Sequence, residues 1–71
     1  MHSITIGKKI LGNVAKAMTE ADLDIQTLAT LIGISERTMY RRMNEPENFT
    51  LKDLSRIAEA TDRKVEDLLN V

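Results

Sequence analysis

The chain has no cysteine, no tryptophan, a single proline and only two aromatic side chains, Tyr40 and Phe49, in 71 residues. Each shortage removes a class of explanation. Without cysteine there is no disulfide framework and no thiolate metal site, so packing alone must hold the fold, which fits a reducing, cytoplasmic setting. With so few aromatics, Leu, Ile, Val and Met have to fill the core. No apolar run approaches the roughly 20 residues needed to span a bilayer, and the opening "MHSITIGKK" lacks the order of a signal peptide. A soluble protein with no membrane partner is expected. A surplus of positive charge is missing too: 10 Lys and Arg against 11 Asp and Glu leave a formal net charge of -1 and a pI near 5.7, whereas nucleic-acid binders often carry a strongly basic surface. His2 is the only histidine and cannot build a metal or catalytic centre alone. No Ser-His-Asp constellation, glycine-rich phosphate loop or zinc-ligand spacing occurs, and so small a helical core offers little concavity for a substrate. The expectation is therefore no enzymatic activity, no cofactor, no metal and no small-molecule substrate.

What remains is helical punctuation. Over residues 6–21, Ile6, Gly7, Ile10, Leu11, Val14, Ala17, Met18 and Ala21 fall within one arc of about 140°, with Lys8, Lys9, Lys16 and Glu20 outside it. Gly7 and Gly12 each cost roughly 1 kcal/mol relative to alanine in a helix interior, so the front of this helix is expected to fray or begin late. In "LDIQTLATLIG", Asp24 reads as an N-cap, Leu28, Ala29 and Ile32 as the buried stripe, and Gly33 as the left-handed residue that ends the helix. Ser35 caps the next helix. "TLKDLSRIAEAT" opens with a capping box made by Thr50 and Asp53, and Leu51, Leu54, Ile57 and Ala58 share its apolar face. A last turn, "VEDLLN", supplies Val65, Leu68 and Leu69. Asp22 with Asp24, and Glu66 with Asp67, stand near helix starts, where capping and the helix dipole account for them. Period-2 alternation is confined to the first six residues, so strands have no support. The pattern gives an all-α, compact five-helix fold in a single domain over residues 1–71.

The stretch "GISERTMYRRM", residues 33–43, packs three arginines and the only tyrosine into this acidic chain. Wound as a helix from residue 36, it places Met39 and Met43 on one seam that must face the core. Arg37, Thr38 and Arg41 then point the opposite way, with Tyr40 and Arg42 on the borders. Out of context such a front is as often a solvated helix face as an interface. Its shape nevertheless suits a major groove, which is about 12 Å wide and in which an arginine fork can hold guanine O6 and N7 together. Arg37 and Arg41 are the leading candidates for base edges. Tyr40 can meet a thymine methyl or a phosphate, and Glu36 can accept from cytosine N4 or repel a wrong base.

Those residues carry a family resemblance. "DIQTLATLIGISERTMYRRMN", from Asp24 to Asn44, resembles the helix-turn-helix of the Cro and lambda-repressor-like DNA-binding family, and "FTLKDLSRIAEATDRKVEDLL" is similar to that family's last two helices. The specific part is the spacing of Leu28, Ala29, Gly33, Ile34, Ser35 and Met39. Ala29 is small where two helices cross steeply, and Gly33 supplies a positive φ in the turn. Three positions depart from the family pattern: Ile25 stands where a glutamine is frequent, with Gln26 beside it; Arg42 stands where a large apolar residue is usual; and Asp62, in "TDRK", replaces a glycine between the last two helices.

The resemblance implies a recognition helix at about 36–43 that reads double-stranded DNA with Glu36, Arg37, Tyr40 and Arg41. It further implies phosphate contacts from Gln26 and Thr27 at the start of the first of these helices, from Asn44 and Asn48 in the following loop, and from Thr50 and Lys52 at the start of the fourth helix, with Thr38 and Arg42 on the backbone beside the recognition helix. Free N–H groups at helix starts bind phosphate without net basic charge, so the low pI is compatible with this. Glu45 and Glu47 read as surface acids of the loop. A phage or prophage type of repressor is implied, acting as a homodimer on a pseudo-palindromic operator with half-sites about 34 Å apart. Leu69 and Val71 are the expected dimer contacts. The rival expectation, favoured by the acidic balance, is a protein-binding module of the same fold, such as an antirepressor or a toxin-neutralising subunit.

Overall fold

The computed structural model describes the backbone of residues 2–70 and the side chains of residues 6–70. Five α-helices follow one another: α1 (His2–Glu20), α2 (Ile25–Ile32), α3 (Glu36–Asn44), α4 (Leu51–Ala60) and α5 (Val65–Leu69), with a single 3-10 turn at Pro46–Asn48 between α3 and α4. No strand occurs among the described residues. α2 packs on both α3 and α4, while α1 crosses α5 and the 3-10 turn. The resulting body measures 32 × 24 × 19 Å.

One core joins all five helices. Val14, Ala17 and Met18 of α1 meet Leu28, Ala29 and Ile32 of α2, Met39 of α3, Leu54, Ile57 and Ala58 of α4, and Leu68 of α5, all buried. Ile10, Ile34, Met43, Phe49 and Val65 pack half-buried around it. The expected apolar stripes are thus largely in place, with two exceptions. Ile6 is 43% exposed and Leu51 is 64% exposed. Leu51 is the first residue of α4, so it stands over the open start of the helix while the core lies under the later turns.

α1 does not begin late. Its first turn starts at His2, and the reason that Gly7 is tolerated lies in packing. Gly7 is buried against the 3-10 turn, and a Cβ there would lie 3.3 Å from the Glu47 backbone nitrogen and 3.3 Å from Pro46 Cγ. Tertiary contact of this kind outweighs a weak helix propensity. Gly12 is different, because nothing lies within 4 Å of the position a Cβ would take.

Three of the helices end in the same way. At Asp22, Gly33 and Asp62 the backbone enters the left-handed region, with φ of 57°, 80° and 56°. The N–H of each donates back to the carbonyl three residues earlier, and the next N–H reaches five residues back: Leu23 to Met18 at 2.9 Å, Ile34 to Ala29 at 3.0 Å and Arg63 to Ala58 at 2.8 Å. This is the Schellman arrangement. Asp62 takes the turn where a glycine was missing, as the sequence required. Asp22 takes it as well and is not a cap; the cap of α2 is Asp24, whose carboxylate accepts from the Thr27 N–H at 2.7 Å. Aspartate visits this backbone region more readily than most side chains, because its short polar group can bond locally.

The helix ends also use long-range side chains. Arg56 of α4 donates from Nη1 to the Ile32 carbonyl at 3.2 Å, placing a cation at the C-terminus of α2. Asn13 of α1 donates to the carbonyls of Leu68 and Asn70 at 3.0 and 2.9 Å and so secures the end of α5. Arg63 pairs with Glu20, joining the ends of α4 and α1.

Gly12→Ala is expected to stabilise the fold by about 0.5–1 kcal/mol, raising the thermal midpoint by roughly 2–8 °C, because the helix gains propensity and the methyl meets nothing. Gly33→Ala is expected to do the reverse, by about 1 kcal/mol or more, because its φ of 80° is strained for alanine. Thermal unfolding followed by circular dichroism distinguishes the two signs.

Candidate nucleic-acid interface

The site begins with the α2–turn–α3 unit. Ala29, 2% exposed, lets α3 approach α2 closely, and Gly33 reverses the chain between them. Ser35 then starts α3: its hydroxyl oxygen accepts from the Thr38 N–H at 3.0 Å and its own proton goes to the Thr38 hydroxyl at 2.9 Å. From that start, helical geometry places Met39 inward at 0% exposure and Met43 half-buried on the core. Arg37 and Arg41 are exposed, Tyr40 is 49% exposed and Glu36 is exposed, while Thr38 and Arg42 are half-buried at the edges. α3 continues to Asn44, one residue past the expected helix.

The chain has five arginines, and three of them are engaged within the fold: Arg42 with Asp53, Arg56 with the Ile32 carbonyl and Arg63 with Glu20. Arg37 and Arg41 are the other two, and among the described residues neither has a hydrogen-bond or ion-pair partner. Both stand on the outer face of α3.

The residues expected on phosphates surround that face. Gln26 and Thr27 are exposed in the first turn of α2, Lys52 is exposed in the first turn of α4, and Asn44 and Asn48 are exposed on either side of Glu45 and Pro46. The amide donors, however, are partly used. The Thr27 N–H already serves Asp24, and the N–H groups of Thr50 and Asp53 serve each other's side chains in the capping box, at 3.1 and 3.0 Å. At each helix start this leaves the first two amides, those of Ile25 and Gln26 and those of Leu51 and Lys52, as the orphan donors that helix geometry creates.

Arg42, expected on the DNA backbone, is paired within the fold. Its Nε donates to Asp53 Oδ2 at 3.2 Å, and the two side chains are 29% and 12% exposed. The same carboxylate oxygen accepts the Thr50 N–H. Reasoning from sequence found Asp53 as a cap and Arg42 as a departure from the family's apolar preference; the link between them spans eleven residues and carries no local pattern. Arg56 was overlooked for the same reason.

With this geometry in place, comparison supplies the family: the model of the Cro/C1-type HTH DNA-binding domain matches residues 13–71. The chain belongs to that family. No curated protein and no solved structure gives a match. In this Cro/C1-type domain the matched span begins inside α1 and takes in the whole α2–turn–α3 unit. No described helix is long and apolar enough to cross a membrane, and no group of three or more His, Cys, Asp or Glu side chains among the described residues could hold a metal ion.

The electrostatics of the domain are set by its caps. The Thr27 backbone N–H, helped by the Thr27 hydroxyl, holds the exposed Asp24 carboxyl below its ordinary range. At Asp53 burial pushes the carboxyl up, but the Thr50 N–H, the Arg42 guanidinium and the Thr50 hydroxyl together outweigh it and the net direction is down. Both groups therefore have a folded pKa below the unfolded one. Their stabilisation is complete above the unfolded carboxylate value of about 4 and is lost as pH falls through the lower folded values. The thermal midpoint is expected to drop on going from pH 7 to pH 3. Asp53→Asn, a neutral stand-in for the protonated acid, is expected to lower the midpoint at pH 7 and shrink that drop; an undiminished drop in this variant would remove Asp53 from the account.

Proposed function

We propose that the protein is a sequence-specific transcriptional regulator, a repressor of phage or prophage type, acting as a single domain that inserts the helix at 36–43 into the major groove of double-stranded DNA. The observation that carries this reading is the pair of guanidinium groups at Arg37 and Arg41, exposed on one helix face and engaged with nothing else in the described chain. An α-helix is about 10–12 Å across with its side chains, which suits a groove about 12 Å wide. Arg37 and Arg41 are assigned to base edges, with Glu36 and Tyr40 beside them. Gln26, Thr27, Thr38, Asn44, Asn48, Thr50 and Lys52 are assigned to the phosphates on either side.

One such helix reads only a few base pairs, so a homodimer on a pseudo-palindromic operator is proposed, with half-sites about 34 Å apart. Leu69, 38% exposed at the end of α5, supports a contact there; Val71, its expected companion, lies outside the described residues. The rival reading is a protein-binding module on the same fold. It draws support from the hollow between α2 and α3, where Asp24 and Glu36 stand beside Gln26 and Tyr40 and place two acids close to a proposed phosphate contact.

Selection of bound duplexes from a random pool tests the proposal, with enrichment of an inverted repeat containing guanines as the expected result. Arg41→Ala is expected to relax preference at one base position by about 1–3 kcal/mol, whereas Lys52→Ala should weaken all sequences alike and lower the salt slope by about one. Binding that does not weaken steeply between about 50 and 200 mM salt would favour the protein-binding module instead.

A further inference from the structure

We infer that Arg42 and Asp53 form a strut that fixes the roll of α3 against the start of α4, making both of them positioning residues for base selection and Arg42 no phosphate contact. The inference rests on the DNA-binding reading above and concerns how that face is aimed.

The inward anchor of α3 is made of Met39 and Met43. Thioether side chains are flexible, and apolar burial has no direction, so this seam decides which face of α3 points inward without fixing the helix's rotation more finely than that. A charge-assisted N–H···O bond does have direction. The Arg42 Nε to Asp53 Oδ2 bond, at 3.2 Å, ties the edge of α3 to a carboxylate that is 12% exposed in its side chain. That carboxylate is itself immobilised, because the same oxygen accepts from the Thr50 N–H at 3.1 Å and the Asp53 N–H donates to Thr50 Oγ1 at 3.0 Å. One oxygen atom therefore joins the helix carrying Arg37 and Arg41 to the helix start carrying Lys52 and the proposed phosphate donors.

The geometry matters because the two functions are read at different places. The phosphate grip sets where the domain sits, and the arginine forks must then reach base edges within hydrogen-bonding distance. Arg41 is adjacent to Arg42 in sequence and therefore about 100° around the helix from it. Rotation of α3 that lets Arg42 leave Asp53 carries Arg41 sideways along the groove floor. Loss of the strut is thus expected to spare the non-specific phosphate contribution and to reduce discrimination.

The test uses the full chain and two probes: the duplex that the wild-type protein enriches from a random pool, and a scrambled duplex of the same base composition. Arg42→Gln, Asp53→Asn and the double variant are compared at a temperature where circular dichroism shows each to be folded. Each single change is expected to reduce the ratio of affinities, enriched over scrambled, about tenfold, the size of one weakened bidentate base contact. Affinity for the scrambled duplex and the salt slope should stay unchanged, and the double variant should match the singles, as befits one interacting unit. Arg42→Met, which restores an apolar side chain at the helix edge without the pair, carries the same expectation should either single variant fail to fold.

Equal weakening of both duplexes by Arg42→Gln, with the salt slope reduced by about one, would make Arg42 a phosphate contact and overturn the strut. Additive effects of the two changes would overturn it too, as would a lowered thermal midpoint with the affinity ratio intact. A wild-type protein that enriches no duplex defeats the DNA-binding reading itself, an outcome distinct from an enriched duplex whose preference survives these substitutions.

Discussion

Everything outward on this domain depends on what Met39 does inward. A methionine at 0% exposure contributes on the order of 1.5–3 kcal/mol of burial relative to an exposed one, and it sits in the middle of a nine-residue helix with few other claims on the core. Rolling α3 by half a turn would release that burial and press Arg37 and Arg41 into an apolar interior, where unpaired charges are far more costly. The outward aim of the arginines is thus a consequence of a buried thioether two residues from each. Ala29 and Gly33 complete the constraint from the other side: a larger residue at the crossing or a strained one in the turn would shift α3 before any DNA contact formed.

Net charge is a poor guide to this surface because many of the chain's charges are occupied with architecture. Asp24 and Asp53 cap helix starts, and Asp67 accepts the Lys64 N–H at the start of α5. Asp22 and Asp62 are turn residues in the left-handed region. Arg56 closes the end of α2, and Arg63 bridges to a half-exposed Glu20, an arrangement of modest energetic value near solvent. On the outside of α3 and the start of α4 stand Arg37, Arg41 and Lys52, with Glu36 at the edge and Glu45 and Glu47 exposed in the loop between the two helices, an arrangement that the total of -1 does not describe. Local arrangement, more than the sum, decides which ligand such a surface favours.

The readable part of the sequence was the part governed by short-range rules. Helical spacing placed Val14, Leu28, Ile32, Met39, Leu54 and Ile57 in the core, capping chemistry located Asp24, Ser35 and Thr50, and turn chemistry identified Gly33 and Asp62. What escaped was long-range or competitive. The Arg42–Asp53 pair and the Arg56–Ile32 bond link residues 11 and 24 apart in sequence, and no periodicity encodes them. Asp22 and Asp24 looked alike as helix-start acids, and only the backbone reveals that the first ends α1 while the second begins α2. Ile6 and Leu51 fit their helical faces by angle, yet each face extends past the point where the core stops. At the candidate site, exposure of Arg37, Tyr40 and Arg41 followed from the pattern, whereas the engagement of Arg42 did not.

Gly7 shows why the first helix matters to a site it does not form. Its weakness as a helix former predicts a start that frays or comes late; α1 nonetheless begins at His2, and the missing side chain at Gly7 brings it within van der Waals distance of Pro46 and Glu47. The 3-10 turn that carries Asn48 is held between α1 on one side and α3 on the other, so the loop following α3 is not free to choose its own path. Proline and a short hydrogen-bonded turn stiffen it further, with the Asn48 N–H donating to the Glu45 carbonyl at 2.8 Å. A loop fixed in this way presents its polar side chains at a set height beside α3, and the entropy of ordering it is met on folding and not on binding. Helix propensity lost at one residue of α1 is thereby converted into preorganisation at the edge of the surface proposed to meet DNA.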